Sequence, residues 1–232
     1  MREIVLDTET TGFDPESGDR IVEIGAVELL NHLPTGRTYH QYINPERSMP
    51  DGAFEVHGLG DDFLRDKPVF ARVGQNFLDF IGNSQLVIHN ATFDMKFLNA
   101  ELGWINLPFI PMAQSLDTLA IARKKFPGSP ASLDALCRRF GIDNSSRTLH
   151  GALLDSEILA EVYLELIGGR QPDFGLSGSS ARTSGSGKEQ VWRPQARPAV
   201  LPDRITKEEA AAHATFVDGL GDGALWKKVQ RN

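Results

Sequence analysis

Cysteine is nearly absent from this chain, since Cys137 is the only one among 232 residues. A single thiol excludes an internal disulfide framework, argues against a zinc site built on thiolates, and makes a reducing cytoplasm the expected compartment. Long apolar runs are missing too, because no stretch of about 18 apolar residues occurs and the chain begins with a strand-like segment. We therefore predict neither a membrane span nor a signal peptide.

Positive charge is also scarce. The formal net charge is −7, with 24 lysine and arginine residues against 31 acidic residues. Because lysine and arginine supply most sequence-independent affinity for nucleic acids, this balance argues against a protein that holds nucleic acid on a broad basic surface. It does not exclude a local, metal-loaded site that meets phosphate.

The order of predicted elements indicates an α/β domain. Strand-like runs at 20–30 and 39–44 follow a first strand at 3–8, and a turn-rich segment at 34–36 favours an antiparallel meander. A further strand at 86–89 then alternates with segments of helical periodicity. These predicted helices cover 71–81, 92–102, 116–125, 132–140 and 152–167. The pattern predicts a mixed sheet, with an antiparallel meander and parallel strands, flanked by helices.

Composition changes sharply after the domain. Serine, glycine, arginine and proline dominate between 177 and 200, which predicts a disordered, flexible linker. Thr206 and Glu209 then form a capping-box pattern, which predicts a short helix ending near Gly219. We divide the chain into a folded domain over 1–169, a linker over 170–203 and a helical tail over 204–232.

Four carboxylates and one histidine follow an order typical of a site that holds metal ions against phosphate: Asp7, Glu9, Asp94, His150 and Asp155. Asp7 and Glu9 end an apolar strand-like run. Residues two apart on a strand point to the same face, roughly 6.5–7 Å apart, so both carboxylates can contact one cation. Crowding two acids is costly without such a counter-charge.

Asp94 and Asp155 are predicted to face the core. Each stands three and four residues before apolar residues of its own helix, and carboxylates are rare on such stripes unless they are paired or bound to metal. For either residue alone, an interaction with the helix dipole is the alternative. His150 precedes Asp155 by five residues, about 500° on one helix, so we predict it in the preceding loop. A histidine there suits proton removal at neutral pH.

Oxygen ligands of this kind favour two divalent cations, Mg²⁺ or Mn²⁺. Such ions orient a water molecule, neutralise a phosphodiester and stabilise the attacking and leaving oxygens. In our hypothesis Asp7 bridges both ions, and Glu9 and Asp155 complete the coordination of one. Asp94 supports the other largely through water, and His150 deprotonates the nucleophile.

Three segments carry a family resemblance: Asp7–Gly12, His89–Asp94 and His150–Asp155. Their order and the histidine variant resemble the motifs of the DEDDh 3′–5′ exonucleases, which have a ribonuclease H-like fold. The resemblance covers about residues 1–168 and is greatest to the proofreading, epsilon-type subunits of bacterial DNA polymerase III. It implies hydrolysis at DNA 3′ ends, release of nucleoside 5′-monophosphates, and two Mg²⁺ or Mn²⁺ ions.

Further residues are candidates for contacts with substrate. Thr8, Thr10 and Thr11 are placed to offer hydroxyls or backbone amides to the sugar and phosphate of the last nucleotide. His57 lies in a segment that resembles a family segment near the substrate terminus. A structural loop histidine beside a core valine is an equal alternative for His57.

The appendage resembles partner-binding segments of replication proteins. Residues 171–176 resemble sliding-clamp-binding motifs, with Gln171, Phe174 and Leu176 as anchors. The tail over 204–232 resembles a segment that docks on the DNA polymerase III catalytic subunit, with Leu225 and Trp226 as anchors. Tethering of this kind raises the local nuclease concentration without new DNA contacts.

Two other functions remain open at this point. An RNA-trimming relative of the oligoribonuclease or ribonuclease T type would carry the same motifs, although the linker and tail favour proofreading. A non-catalytic assembly subunit would belong to another class, and the presence of all five site residues argues against it.

Overall fold

The computed structural model describes residues 1–145, 149–169 and 205–221. The chain divides into two units, Met1–Leu176 and Ser177–Asn232. The first unit is built on one sheet, whose strands are β1 Arg2–Thr10, β2 Ile21–Leu30, β3 Leu33–Tyr42, β4 Gln85–Ile88 and β5 Ser115–Asp117. Their order across the sheet is β3-β2-β1-β4-β5.

Strand direction changes at the middle of the sheet. β1, β2 and β3 form the antiparallel part, whereas β4 runs parallel to β1 and β5 runs parallel to β4. The predicted mixed sheet, an antiparallel meander joined to parallel strands, is therefore confirmed. Because the carboxyl ends of β1, β4 and β5 meet at one edge, the residues that follow these strands lie close together.

Seven helices of the first unit lie within the described residues: α1 Asp51–His57, α2 Asp61–Leu64, α3 Phe70–Ile81, α4 Ala91–Trp104, α5 Thr118–Lys125, α6 Leu133–Phe140 and α7 Ala152–Ile167. Short 3₁₀ helices occur at Pro15–Ser17 and Met112–Gln114. Predicted helices correspond to α3, α4, α6 and α7 within one or two residues, which is the usual uncertainty of helix ends.

Alternate residues of β1 point to two separate cores. Ile4 and Leu6 pack on one face with Phe77 of α3 and Phe97 of α4. Val5 points to the other face and joins a cluster that includes residues of α7. Apolar side chains on both faces account for the almost uninterrupted apolar run of β1, because a central strand covered on both sides has no solvent face.

Two local predictions are wrong. The turn between β2 and β3 lies at Asn31 and His32, with φ of 51° and 66°, and not at 34–36, which belong to β3. A two-residue turn of this kind fits the twist of a hairpin, and asparagine tolerates positive φ well. The segment 116–125, predicted as helical throughout, begins instead in the three-residue strand β5.

The second unit contains helix α8, Lys207–Gly219. Thr206 accepts a hydrogen bond from the Glu209 amide and the Glu209 carboxylate accepts one from the Thr206 amide, so the predicted capping box is confirmed. The linker over 170–203 and the anchors Gln171, Phe174, Leu176, Leu225 and Trp226 lie outside the described residues. Among the helices that are described, none is both long and apolar enough to cross a bilayer.

Candidate active site

Four elements converge on one cleft of about 450 Å³ at the carboxyl end of β1. Asp7 and Glu9 come from β1, and the first turns of α4 and α7 contribute Asp94 and Asp155. His150 completes the lining from the loop before α7, as predicted from its spacing. The structure thus brings all five predicted catalytic residues together.

The register of β1 changes at the cleft. Asp7 pairs with Gly25 and Glu9 with Glu23, and the pairing with β2 shifts between Glu9 and Thr10. Such an irregularity re-aims side chains at the end of a strand. Asp7 and Glu9 therefore lie where the regular sheet gives way to the loop that borders the cleft.

Gly25 determines how closely α7 approaches the sheet. A Cβ atom at Gly25 would lie 2.1 Å from both the Ala152 carbonyl carbon and the Leu153 nitrogen. The Ser156 hydroxyl donates a hydrogen bond to the Gly25 carbonyl at 2.9 Å. Sequence reasoning missed this residue. Its signal is a glycine inside the apolar run of β2, where glycine often marks the close approach of another backbone.

Asp94 is buried, with 3% of its surface exposed, and its position is held by Thr8. The Thr8 hydroxyl donates a hydrogen bond to Asp94 Oδ1 at 2.7 Å. Burial raises the pKa of Asp94 to about 7, and the hydrogen bond from Thr8 opposes the shift only in part. A buried carboxyl of this kind is costly to ionise without a cation nearby.

Glu9, His150 and Asp155 each offer a ligand atom, and these atoms all lie within 4.8 Å of one another. His150 Nδ1 is 3.4 Å from Asp155 Oδ2, and the His150 amide donates to the Val56 carbonyl at 3.1 Å. Asp7 lines the same cleft without belonging to this group of three. The two carboxylates of this group offer oxygen ligands to a divalent cation.

A second, largely apolar groove adjoins the cleft and contains the predicted substrate contacts. The Thr10 hydroxyl donates to the Gly12 carbonyl at 2.6 Å. The Thr11 hydroxyl donates to Asp19 Oδ1 at 3.3 Å and accepts from the Arg20 amide at 3.0 Å. These hydroxyls, like that of Thr8, are therefore engaged within the chain, and contact with substrate remains a prediction for all three threonines.

His57 lines the same groove and is only 5% exposed. Its Nδ1 accepts a hydrogen bond from the Leu59 amide at 3.0 Å, so the ring proton of the neutral form resides on Nε2. Nε2 is buried and has no hydrogen-bond partner among the described residues. Burial lowers the pKa of His57, which favours the neutral ring.

In metal-free protein, Asp94→Asn is expected to raise stability at neutral pH. The folded-state pKa of about 7 exceeds the ordinary 3.8, so the stability linked to the Asp94 proton is full below about pH 4 and lost as the pH rises through about 7. The asparagine does not titrate, and its carbonyl can still accept from Thr8.

Urea unfolding in EDTA between about pH 5 and pH 8 measures this effect. Between these two pH values, the unfolding free energy of the unaltered protein should fall by on the order of 2–3 kcal/mol more than that of the variant. Parallel stability curves for the two proteins would contradict the buried, protonated state of Asp94.

Comparisons with known proteins agree with this geometry. The exonuclease family model matches residues 4–163. DNA polymerase III subunit epsilon of Rickettsia felis is 49% identical over 223 residues, which cover 95% of this chain and 97% of that protein. The same subunit of Escherichia coli strain K12 is 45% identical, with 97% of each chain covered.

A solved structure supports the fold. The nuclease domain of 3′hExo, a DEDDh family member bound to rAMP, matches with a TM-score of 0.62 at 23% identity, covering 72% of this chain and 91% of that one. The predicted ribonuclease H-like fold is thereby confirmed. DEDDh exonucleases use divalent metal ions, in keeping with the carboxylates of the cleft. The chain belongs to the exonuclease family and, within it, to the epsilon subunits of bacterial DNA polymerase III.

Proposed function

We propose that Asp7, Glu9, Asp94, His150 and Asp155 form the active site with which this epsilon subunit hydrolyses phosphodiesters at DNA 3′ ends. The observation that carries the proposal is the convergence of these five side chains, from β1, α4, α7 and a loop, on one cleft. As the proofreading 3′–5′ exonuclease of DNA polymerase III, the chain acts on DNA and associates with the polymerase.

The carboxylates of Asp7, Glu9, Asp94 and Asp155 would hold two divalent cations, Mg²⁺ or Mn²⁺. When bound, the cations supply electrostatic stabilisation of the phosphodiester undergoing attack. Thr8 keeps the Asp94 carboxyl in place through its hydrogen bond of 2.7 Å. The closeness of Glu9, His150 and Asp155 supports a common role in holding ions and water.

His150 is suited to act as the general base. Its side chain is 47% exposed and its Nδ1 lies 3.4 Å from the buried carboxylate of Asp155. An imidazole this exposed can take a proton from the attacking water and pass it to solvent. The new bond joins this water oxygen to phosphorus, the bond to the 3′ oxygen of the preceding nucleotide breaks, and that oxygen takes up a proton from solvent. The product is a nucleoside 5′-monophosphate.

The apolar groove beside the cleft is suited to the terminal nucleoside. Val56 and Phe93 offer apolar surface, and His57 lines the same groove. Contact of a base with apolar side chains does not depend on its identity, as removal of any mispaired nucleotide requires.

A mispaired primer–template incubated with Mg²⁺ tests the proposed function. We expect mononucleotides released from the mispaired 3′ end, with hydrolysis abolished by Asp7→Ala and by chelation of the metal. An RNA strand of the same sequence serves as the competing substrate. Faster trimming of the RNA would favour the RNA-processing alternative. If neither strand were hydrolysed in the presence of Mg²⁺, the role of a non-catalytic assembly subunit would remain.

The appendage is proposed to deliver the nuclease to its substrate. In this proposal residues 204–232 dock on the polymerase catalytic subunit through Leu225 and Trp226, and residues 171–176 bind the sliding clamp through Gln171, Phe174 and Leu176. The net charge of −7 supports it, because an acidic nuclease has little affinity of its own for the DNA backbone. Such a complex would operate in the bacterial cytoplasm.

Deletion of residues 204–232 is expected to abolish co-purification with the polymerase catalytic subunit. Hydrolysis of free oligonucleotides should persist, since the five catalytic residues belong to the first unit. Deletion of residues 177–203, a segment of nearly the same length, is the matched control and should preserve the association. Retained binding after removal of the tail would place the contact with the polymerase elsewhere.

A further inference from the structure

The catalytic cleft has different neighbours on its two sides. The apolar groove shares Thr8, Glu9 and Phe93 with the cleft. On another side the lining comes from α5 and from the start of α6, including Leu119, Arg123 and Leu133. A 3′ exonuclease holds one nucleoside beyond the scissile phosphate and the remaining strand before it. The two sides must therefore receive different parts of the substrate, an argument that rests on the proposed function.

Arg123 provides a positive charge at the side away from the groove. It lies one helical turn after Leu119 on α5, so the two side chains share a face, and both line the cleft. Arg123 is exposed, and its charge reaches His89 in the cleft, where burial is the main cause of a lowered pKa and Arg123 adds a smaller effect. Arg123 is thus an exposed cation in the lining of the same cleft as the acids.

Three other basic residues of the first unit have structural partners. Arg139 lies 4.3 Å above the Phe126 ring, and Lys125 Nζ donates to the Leu166 carbonyl at 2.9 Å. The half-buried Arg20 forms an ion pair with the buried Glu101. By contrast, no carboxylate in the described part of the chain forms an ion pair with Arg123. Packing within the fold thus does not account for its charge.

We propose that Arg123 binds a phosphate of the DNA strand on the 5′ side of the scissile bond. A guanidinium presents paired N–H donors that match two phosphate oxygens, and such charge-assisted bonds are stronger than neutral ones. In a chain of net charge −7, one such contact at the cleft matters more than it would on a basic surface. With the terminal nucleoside in the groove, the strand leaves the cleft over α5.

Two substrates separate this role from catalysis. A single-stranded oligonucleotide carries phosphates before the scissile bond, whereas the p-nitrophenyl ester of a nucleoside 5′-monophosphate has none. For Arg123→Ala, the ratio of kcat/KM on the oligonucleotide to kcat/KM on the ester should fall about tenfold, mainly through a higher KM. The salt dependence of oligonucleotide binding should weaken by about one phosphate contact.

Lys124→Ala is the matched control. It removes one positive charge from the neighbouring position of α5, and Lys124 does not belong to the lining of the cleft. This variant should leave the ratio within about twofold of the unaltered protein, because a distant exposed charge is screened by salt. Circular dichroism and thermal unfolding establish that both variants fold.

Three results would overturn the proposal. An equal loss on both substrates in Arg123→Ala would make the residue a support of the cleft instead. If the ratio were unchanged in Arg123→Ala but fell in Arg138→Ala, the DNA strand would instead pass over the neighbouring cleft that Arg138 lines. Inactivity of the unaltered protein on both substrates with Mg²⁺ and Mn²⁺ would remove the proposed function itself, an outcome distinct from the other two.

Discussion

Replacing Asp155 with asparagine is expected to lower metal-dependent hydrolysis by at least about a thousandfold while the protein remains folded. Asp155 is 3% exposed and offers a ligand atom within 4.8 Å of those of Glu9 and His150. Asparagine keeps nearly the same shape but removes the negative charge that attracts a cation. It also replaces the carboxylate oxygen that lies 3.4 Å from His150 Nδ1.

The matched control is Glu157→Gln. It removes the same charge from the same helix two residues later, at an exposed position. Release of mononucleotides from a 3′-labelled primer, with folding checked by circular dichroism, compares the two variants. Near-complete activity is expected for Glu157→Gln. Equal activity of both variants would show that Asp155 neither holds a metal nor supports the base.

The gathering of the catalytic residues could be predicted because each depends on a local pattern. The two-residue spacing of Asp7 and Glu9 fixes their common face on a strand. The three- and four-residue spacing of apolar side chains fixes the phase of Asp94 and Asp155 on their helices. Because β1 and β4 are parallel neighbours, their carboxyl ends lie at the same edge of the sheet, and the motifs that follow them meet there.

Other features depend on packing between distant segments, which no local period records. The Arg20 guanidinium donates to both Glu101 oxygens at 2.8 Å across 81 positions of the sequence. Strand β5 has only three half-buried residues and forms because β4 offers it a parallel edge. Helices α1 and α2 have only seven and four residues, which is too short for a helical period to repeat in the sequence.

Gly25→Ala is expected to lower both stability and activity. The added methyl would lie 2.1 Å from main-chain atoms of Ala152 and Leu153, which cannot move aside by a rotamer change. Helix α7 must then shift from the sheet and loosen its contacts around Leu159 and Tyr163. A cost of about 2–4 kcal/mol in unfolding free energy is expected.

The same shift separates the catalytic acids. Gly25 pairs with Asp7, and Asp155 lies in the turn of α7 that meets Gly25. A displacement of about 1 Å between catalytic groups lowers the rate roughly a hundredfold. We therefore expect the rate per folded molecule to fall by that factor, in addition to any loss from unfolding. Urea unfolding and the rate per folded molecule measure the two effects separately.

Gly52→Ala is the control for stability, because a Cβ there meets nothing within 4 Å and its φ is ordinary for an L-residue. This change should leave the unfolding free energy equal or raise it by up to about 1 kcal/mol through reduced freedom of the unfolded chain. If Gly25→Ala behaved in the same way, α7 could not lie as close to β2 as its hydrogen bond from Ser156 requires. The joint loss of stability and rate would instead show that one missing side chain in β2 sets the distance between Asp7 and Asp155.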